Sequence, residues 1–244
     1  MGMRLLDTAT VMRVLPPEAM AVRGAFHPLP QDRVPGFADG AGAGTLVLLG
    51  WTGGRQWPSF AASAEARDGR PHPLDRWSRR LIDAAAAALG AAALYPFGGA
   101  PHHDFQRWAL RAEPVARSPI GLLIHPRWGL WHAYRGALGF RERLPLRADG
   151  VRASPCTGCV SRPCLSTCPV TAFTEDRGFD IAACTRYLRS SAGARCVSAG
   201  CAARLACPVA PPDPYSPAQQ AFHMQAFLRA RQHDSLSAEE DGDG

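Results

Sequence analysis

All eight cysteines of the 244-residue chain lie between Cys156 and Cys207, and no other feature narrows the possible folds as much. Thiols this dense are committed either to one another or to metal. The first set reads Cys156-x2-Cys159-x4-Cys164-x3-Cys168-Pro169, and the second Cys184-x11-Cys196-x4-Cys201-x5-Cys207-Pro208. Both end in Cys-Pro-Val, which marks an internal half-repeat.

A cubane cluster takes four thiolates at its corners. In bacterial ferredoxins three come from one tight loop, and the cysteine before proline ligates the other cluster. Applied here, that rule predicts one 4Fe-4S cluster on Cys156, Cys159, Cys164 and Cys207 and a second on Cys184, Cys196, Cys201 and Cys168. No cysteine is left over. The following proline has a fixed φ and no N–H, so the chain can leave the cluster as a new segment. Gly158, Ser166 and Gly200 are small neighbours that let backbone N–H groups approach the sulfurs. The gaps are wider than in the common ferredoxin run, which leaves a three-iron form open at one site. Structural zinc prefers paired Cys-x2-Cys knuckles, and only Cys156-x2-Cys159 has that form. Disulfides require an oxidising compartment.

The remaining chain is long enough to bury a core without staples. All six tryptophans (Trp51, Trp57, Trp77, Trp108, Trp128, Trp131) precede the cysteines. We therefore expect an N-terminal domain over 1–150, a cysteine module over 151–212, and a C-terminal helix with a disordered acidic tail over 213–244. Met1 to Met20 contains no apolar run of signal-peptide length, and no run elsewhere approaches a bilayer span. A cytoplasmic protein without a membrane segment is expected. Every positive side chain behind the formal charge of +6, histidine aside, is arginine. Nucleic acid is not expected as a partner on that charge alone.

Gly44 to Trp51 and Pro119 to His125 are continuous apolar runs of buried-strand type. Between them, Pro73 to Leu89 has helical spacing with Gly90 as its stop, Ala92 to Gly99 reads as a strand leading into a turn, and His103 to Glu113 as a short helix. This order predicts an α/β (α+β) fold with helices packed on a central sheet. Ser216 and Pro217 open a last helix, as N-cap and first helical residue, running to about Gln232.

With Cys156 to Pro169, Ala183-Cys-Thr-Arg-Tyr-Leu188 and Cys201 to Pro208, the module resembles that of epoxyqueuosine reductases. Upstream, Ile124-His-Pro-Arg-Trp-Gly-Leu-Trp-His-Ala-Tyr-Arg-Gly136 is similar to that family and, more closely, to the cobalamin-processing CblC proteins. The resemblance implies a nitroreductase-like sheet-and-helix domain, which binds cobalamin in both families, followed by a ferredoxin-like module with two 4Fe-4S clusters. Two signatures differ: Tyr95 to Gly99 lacks the reductases' acidic catalytic residue, and Arg117-Ser-Pro-Ile-Gly121 replaces their glycine-lysine-asparagine. The helical repeats with which those reductases engage tRNA would need further chain beyond Gly244.

The resemblance places Arg135 in the ligand pocket. Trp131, Tyr134, His125 and Arg127 surround it in sequence, with aromatics to sandwich a flat cofactor and cations to hold its rim. The same residues also fit a helix face in which Trp128, Trp131 and Tyr134 turn toward the core. The expected function is an iron–sulfur oxidoreductase or corrinoid reductase that relays single electrons from a donor protein (flavodoxin, ferredoxin or reductase) to cobalamin or another small-molecule acceptor. The alternatives are a ferredoxin-like carrier without catalysis and an enzyme of tRNA modification. His102-His103 has no partner at metal-ligand spacing, and Gly53-Gly54 and Gly98-Gly99 read as turns.

Overall fold

The structure, a computed structural model, describes residues 8–146 and 153–240. The start of the segment Met1 to Met20, the middle of the linker expected over Leu144 to Pro155, and the last four residues of the acidic tail lie outside these. In chain order the elements are α1 (Thr8–Val14), β1 (Ala21–Phe26), β2 (Thr45–Thr52), α2 (Trp57–Ala61), α3 (Ala64–Arg67), α4 (Pro73–Leu89), β3 (Ala92–Leu94) and α5 (Phe105–Ala112). A two-residue hairpin follows, β4 (Ala116–Arg117) and β5 (Leu123–Ile124), and then β6 (His132–Phe140). The cysteine-bearing part holds α6 (Pro163–Ser166), β7 (Phe173–Thr174), β8 (Gly178–Phe179), α7 (Ile181–Arg189), α8 (Ala194–Ala199), α9 (Ala202–Leu205) and α10 (Pro217–Glu240).

Two compact units result. The first spans Met1–Val115 and His132–Arg152, the second Ala116–Trp131 and Ala153–Gly244. The expected single cut near residue 150 thus misses one exchange, because residues 116–131 fold with the cysteines.

The first unit is built on an antiparallel sheet of order β1-β2-β6-β3. The apolar run predicted as a strand is β2, and Leu46, Val47, Leu48, Leu49 and Trp51 are all fully buried there. A side chain at Gly50 would run into the Ala133 carbonyl of β6, at the point where the β2–β6 register slips. The predicted helix over 73–89 is α4. It begins with Pro73 in its first turn and ends at Gly90, whose φ of 65° is left-handed. Trp77 of α4 meets Trp51 and Phe60 edge-on at 5.8 and 5.7 Å, and each such buried aromatic contributes roughly 1.5–3 kcal/mol. Asp104 caps α5, its side chain accepting from the Arg107 amide at 3.0 Å.

Two expectations fail here. Pro119 to His125 is not a sheet strand: Gly121 has a φ of 77° and its amide bonds the Ser118 carbonyl at 3.0 Å, which makes a turn and leaves only Leu123–Ile124 extended. Residues 132–140, part of the stretch read as a pocket loop or helix face, form the strand between β2 and β3. The mixed helix-and-sheet expectation holds.

The second unit has its own core of Ile120, Ile124, Leu130, Phe173 and Ala203, with Cys156, Cys164, Cys168, Cys201 and Cys207 packed against it. Ser216 caps α10 as predicted, accepting from the Gln219 amide at 3.2 Å, and Phe227 of that helix reaches Phe179 at 6.1 Å. The helix continues to Glu240, past the predicted end and into the segment expected to be disordered. No helix among the described residues is long and apolar enough to cross a membrane.

Candidate metal centre

The first cysteine set is assembled by short turns. Ser154 accepts from the Cys156 amide at 3.3 Å, and the Cys159 amide returns to the Cys156 carbonyl at 3.2 Å. Arg162, at a left-handed φ of 39°, turns the chain into α6, which carries Cys164 behind Pro163. Cys207 arrives from beyond α9. A pocket in the second unit is lined by Cys156, Cys159, Cys164 and Cys207 together with Ile124, Leu130 and Pro155.

Charges and burial separate the eight thiols into two groups. The Cys164 thiol is pushed up first by burial and then by Cys207, Cys156 and Cys159. Cys184 is pushed up to about 12, again by burial first, then by Cys201, Cys168 and Cys196. Cys201 feels Cys168 and Cys196, whereas Cys207 feels Cys156 and Cys159. The neighbours of each of these thiols belong to its own four. Four mutually repelling, half-buried thiols cannot all ionise unless a cationic group joins them.

Backbone amides point at several of the sulfurs. Ala172 N–H donates to Cys168 Sγ at 3.3 Å. The amides of Arg204 and Ala203 lie toward the Cys201 sulfur, and that of Val209 toward the Cys207 sulfur, each favouring the thiolate that burial disfavours. Donors of this kind stabilise thiolates bound to iron. None of the eight cysteines is in a disulfide. Among the described residues no group of three or more His, Cys, Asp or Glu side chains is placed to hold a single metal ion. The donor chemistry, soft thiols in two fours with amides aimed at them, fits clusters.

The five residues expected to line a cofactor pocket are divided between the units. In the second, His125 closes a tight loop: its Nδ1 accepts from the amides of Arg127 at 3.0 Å and Trp128 at 3.2 Å. Arg127 lies over the Trp128 ring, 4.5 Å from its centroid. Trp131 is buried against Tyr215 at 5.4 Å, under the Arg204 guanidinium. The loop holds to the cysteine unit because Gly129 packs its backbone on Val209, two residues beyond Cys207.

Tyr134 and Arg135 belong to β6 of the first unit. Tyr134 donates its hydroxyl to Glu113, and burial together with the Glu113 charge raises its pKa. Glu113 pairs with Arg23 at 3.0 Å, both almost fully buried, and Arg23 also donates to the Trp51 carbonyl at 2.7 Å and meets His132 Nδ1 at 3.3 Å. Arg135 pairs with Asp75, donates to Ser78 Oγ at 3.0 Å and lies over Phe97, 5.0 Å from its centroid. Asp83 of the same helix accepts from Tyr95 at 2.5 Å. Sequence reasoning missed Arg23, Asp75, Asp83 and Glu113, which have no motif spacing.

No family model matches this chain, and no curated protein does. Solved structures similar to this chain include two epoxyqueuosine reductases. One is an epoxyqueuosine reductase from Streptococcus thermophilus, at 13% identity and a TM-score of 0.46, with 86% of this chain and 68% of that one covered. The other is an epoxyqueuosine reductase with an epoxyqueuosine-modified tRNA-Tyr stem loop, at 12% identity and a TM-score of 0.49, covering 86% and 66%. The chain therefore spans about two thirds of the length of either. Of the two families the sequence resembles, these structures belong to the first; the CblC-like and nitroreductase-like assignments gain nothing from them. One earlier expectation is corrected. Nucleic acid was not expected as a partner, whereas one of the similar structures holds a tRNA stem loop.

Proposed function

We propose that this chain is an iron–sulfur redox enzyme holding two 4Fe-4S clusters, one on Cys156, Cys159, Cys164 and Cys207 and the other on Cys168, Cys184, Cys196 and Cys201. The observation that carries this reading is the grouping of the thiols into two fours, each completed by a cysteine from the other half-repeat. When bound, such clusters supply one-electron transfer. The chain's own residues do the rest. Ile124, Leu130, Phe173 and Ala203 keep water from one side of the thiols, and the amides of Ala172, Ala203, Arg204 and Val209 favour added negative charge on sulfur.

A carrier needs only the module. This chain adds a first unit with its own sheet and buried core, which supports a reductase, with a nitroreductase-like first unit presenting the acceptor and a ferredoxin-like second unit feeding it. Cobalamin is the acceptor implied by the CblC-like resemblance, and a modified tRNA nucleoside the one named by the similar structures. The chemistry requires reduced thiols, as in the cytoplasm.

Anaerobic reconstitution followed by iron and acid-labile sulfide analysis tests the assignment. About eight of each per chain are expected, and about four of each would overturn the two-cluster reading. An unchanged visible spectrum of added cobalamin at high protein concentration would remove the corrinoid acceptor. A low-salt gel assay with a tRNA stem loop tests the other; absence of a shift removes RNA.

A further inference from the structure

From Ile181 to Pro212 the chain carries Arg186, Arg189, Arg195 and Arg204 and no acidic residue. Arg204 turns inward, donating to the Leu130 carbonyl at 2.6 and 3.1 Å and covering the Trp131 and Tyr215 rings. The other three are exposed, and among the described residues none of them forms an ion pair. Other cations of this unit are paired, Arg162 with Glu175 and Arg177 with Asp176, and the one acid next to the second set is Asp180, the N-cap of α7, whose side chain accepts from the Ala183 amide and whose charge reaches Cys184.

All three free cations border the second set. Cys184 and Arg186 share α7, and Arg195 directly precedes Cys196 in α8. Arg186 and Arg189, three residues apart, project from one face of α7. Their place in its last turn suits the helix dipole, but that explanation fails for Arg195, which stands in the first turn of α8 where a cation is unfavourable. Among the other exposed residues of 181–198, Ala182, Ser190, Ser191, Ala192, Ala194 and Ser198 are small and uncharged and Ile181 is apolar, so another surface can come close to the thiols.

We propose that Arg186, Arg189 and Arg195 form the docking face for an acidic one-electron carrier protein that reduces the centre on Cys168, Cys184, Cys196 and Cys201. This inference rests on the cluster reading above. In the step one electron leaves the carrier's reduced flavin or iron–sulfur group and enters that cluster; the carrier is oxidised by one electron, the cluster is reduced by one, and no bond forms or breaks. Opposite charge steers such encounters and aligns the two centres. RNA would meet the same charge, yet the aromatic of this face, Tyr187, is half-buried and tied by its hydroxyl to the Ala192 carbonyl at 2.8 Å, leaving no exposed ring for base stacking. RNA also has no electron to give to the centre beside it.

The test is anaerobic stopped-flow reduction of the reconstituted full-length protein by a reduced acidic flavodoxin, for the wild type and for R186E/R189E/R195E. Iron content and the dithionite-reduced EPR spectrum should match in both, while the flavodoxin rate at low salt falls by about tenfold or more and loses its salt dependence. The glutamine triple variant should fall between them, which guards against a folding defect in the reversal. Reversal of three exposed arginines of the first unit, R55E/R67E/R143E, should leave the rate within about twofold of wild type. An unchanged rate in R186E/R189E/R195E overturns the inference. So does an equal fall in the first-unit control, or a variant that loses only binding to an RNA stem loop. A wild-type protein that takes up no iron overturns the cluster reading and this inference with it.

Discussion

Cys207 is the thiol whose charge weighs most on Cys164, although all four cysteines of the other group, Cys168, Cys184, Cys196 and Cys201, lie between them in sequence. The exchange has a covalent consequence. Cys207→Ser is expected to remove the centre built on Cys156, Cys159 and Cys164 and to spare the one built on its neighbour Cys201. Cys168→Ser should do the reverse. Iron should fall from about eight to about four per chain in each variant, and the two residual EPR spectra should differ and sum to that of the wild type. Identical residual spectra would sink the crossed assignment.

The metal-free protein should become less stable as the solution turns alkaline. The folded-state thiols of Cys164, Cys184, Cys201 and Cys207 are all raised, Cys184 to about 12. An unfolded thiol ionises near 8.5, so above that pH the unfolded chain gives up protons that the folded chain retains. Their contribution is complete below about pH 8.5 and fades as the pH climbs toward 12. Thermal melts of the apoprotein between pH 7 and 10 should show a falling midpoint, and iodoacetamide should label Cys184 more slowly than an unfolded control at pH 8.5.

Gly129 holds the loop 125–131 to the segment after Cys207. Its φ is 55°, and a Cβ there would run into the Val209 carbonyl. Gly129→Ala combines left-handed strain with a backbone collision, at a cost of about 1–3 kcal/mol for the strain alone. The second unit should melt earlier, and the centre that includes Cys207 should load less iron than the other. Normal loading at both would show that the loop is not needed to place Cys207.

In the first unit the Arg23–Glu113 pair is almost fully buried. Glu113→Ala leaves the guanidinium without its charge partner and should cost about 3–5 kcal/mol. Tyr134→Phe removes one hydrogen bond to the same carboxylate and should cost about 1 kcal/mol. Replacing Arg23 and Glu113 together by Met and Leu should be milder than Glu113→Ala, because no unpaired charge remains. Denaturant unfolding of the three variants checks the order.

Much of this protein was legible in its sequence wherever the signal is local. Spacing alone marked the two cysteine sets, α4 between Pro73 and Gly90, α5 behind its Asp104 cap, and the buried run of β2. Those features depend on nearest-neighbour chemistry: a cap three residues away, an apolar face repeating each turn, a proline after a ligand. The tertiary structure decided what distance in sequence conceals. It set 132–140 between β2 and β3, because a strand hemmed by partners on both sides takes its conformation from them and not from its own mixture of Tyr, Arg and Gly. It gave residues 116–131 to the cysteine unit, through Ile124 and Leu130 in that core and Gly129 on Val209. It also brought Asp75 to Arg135 and Glu113 to Tyr134, since charged groups are matched by burial and reach rather than by spacing along the chain.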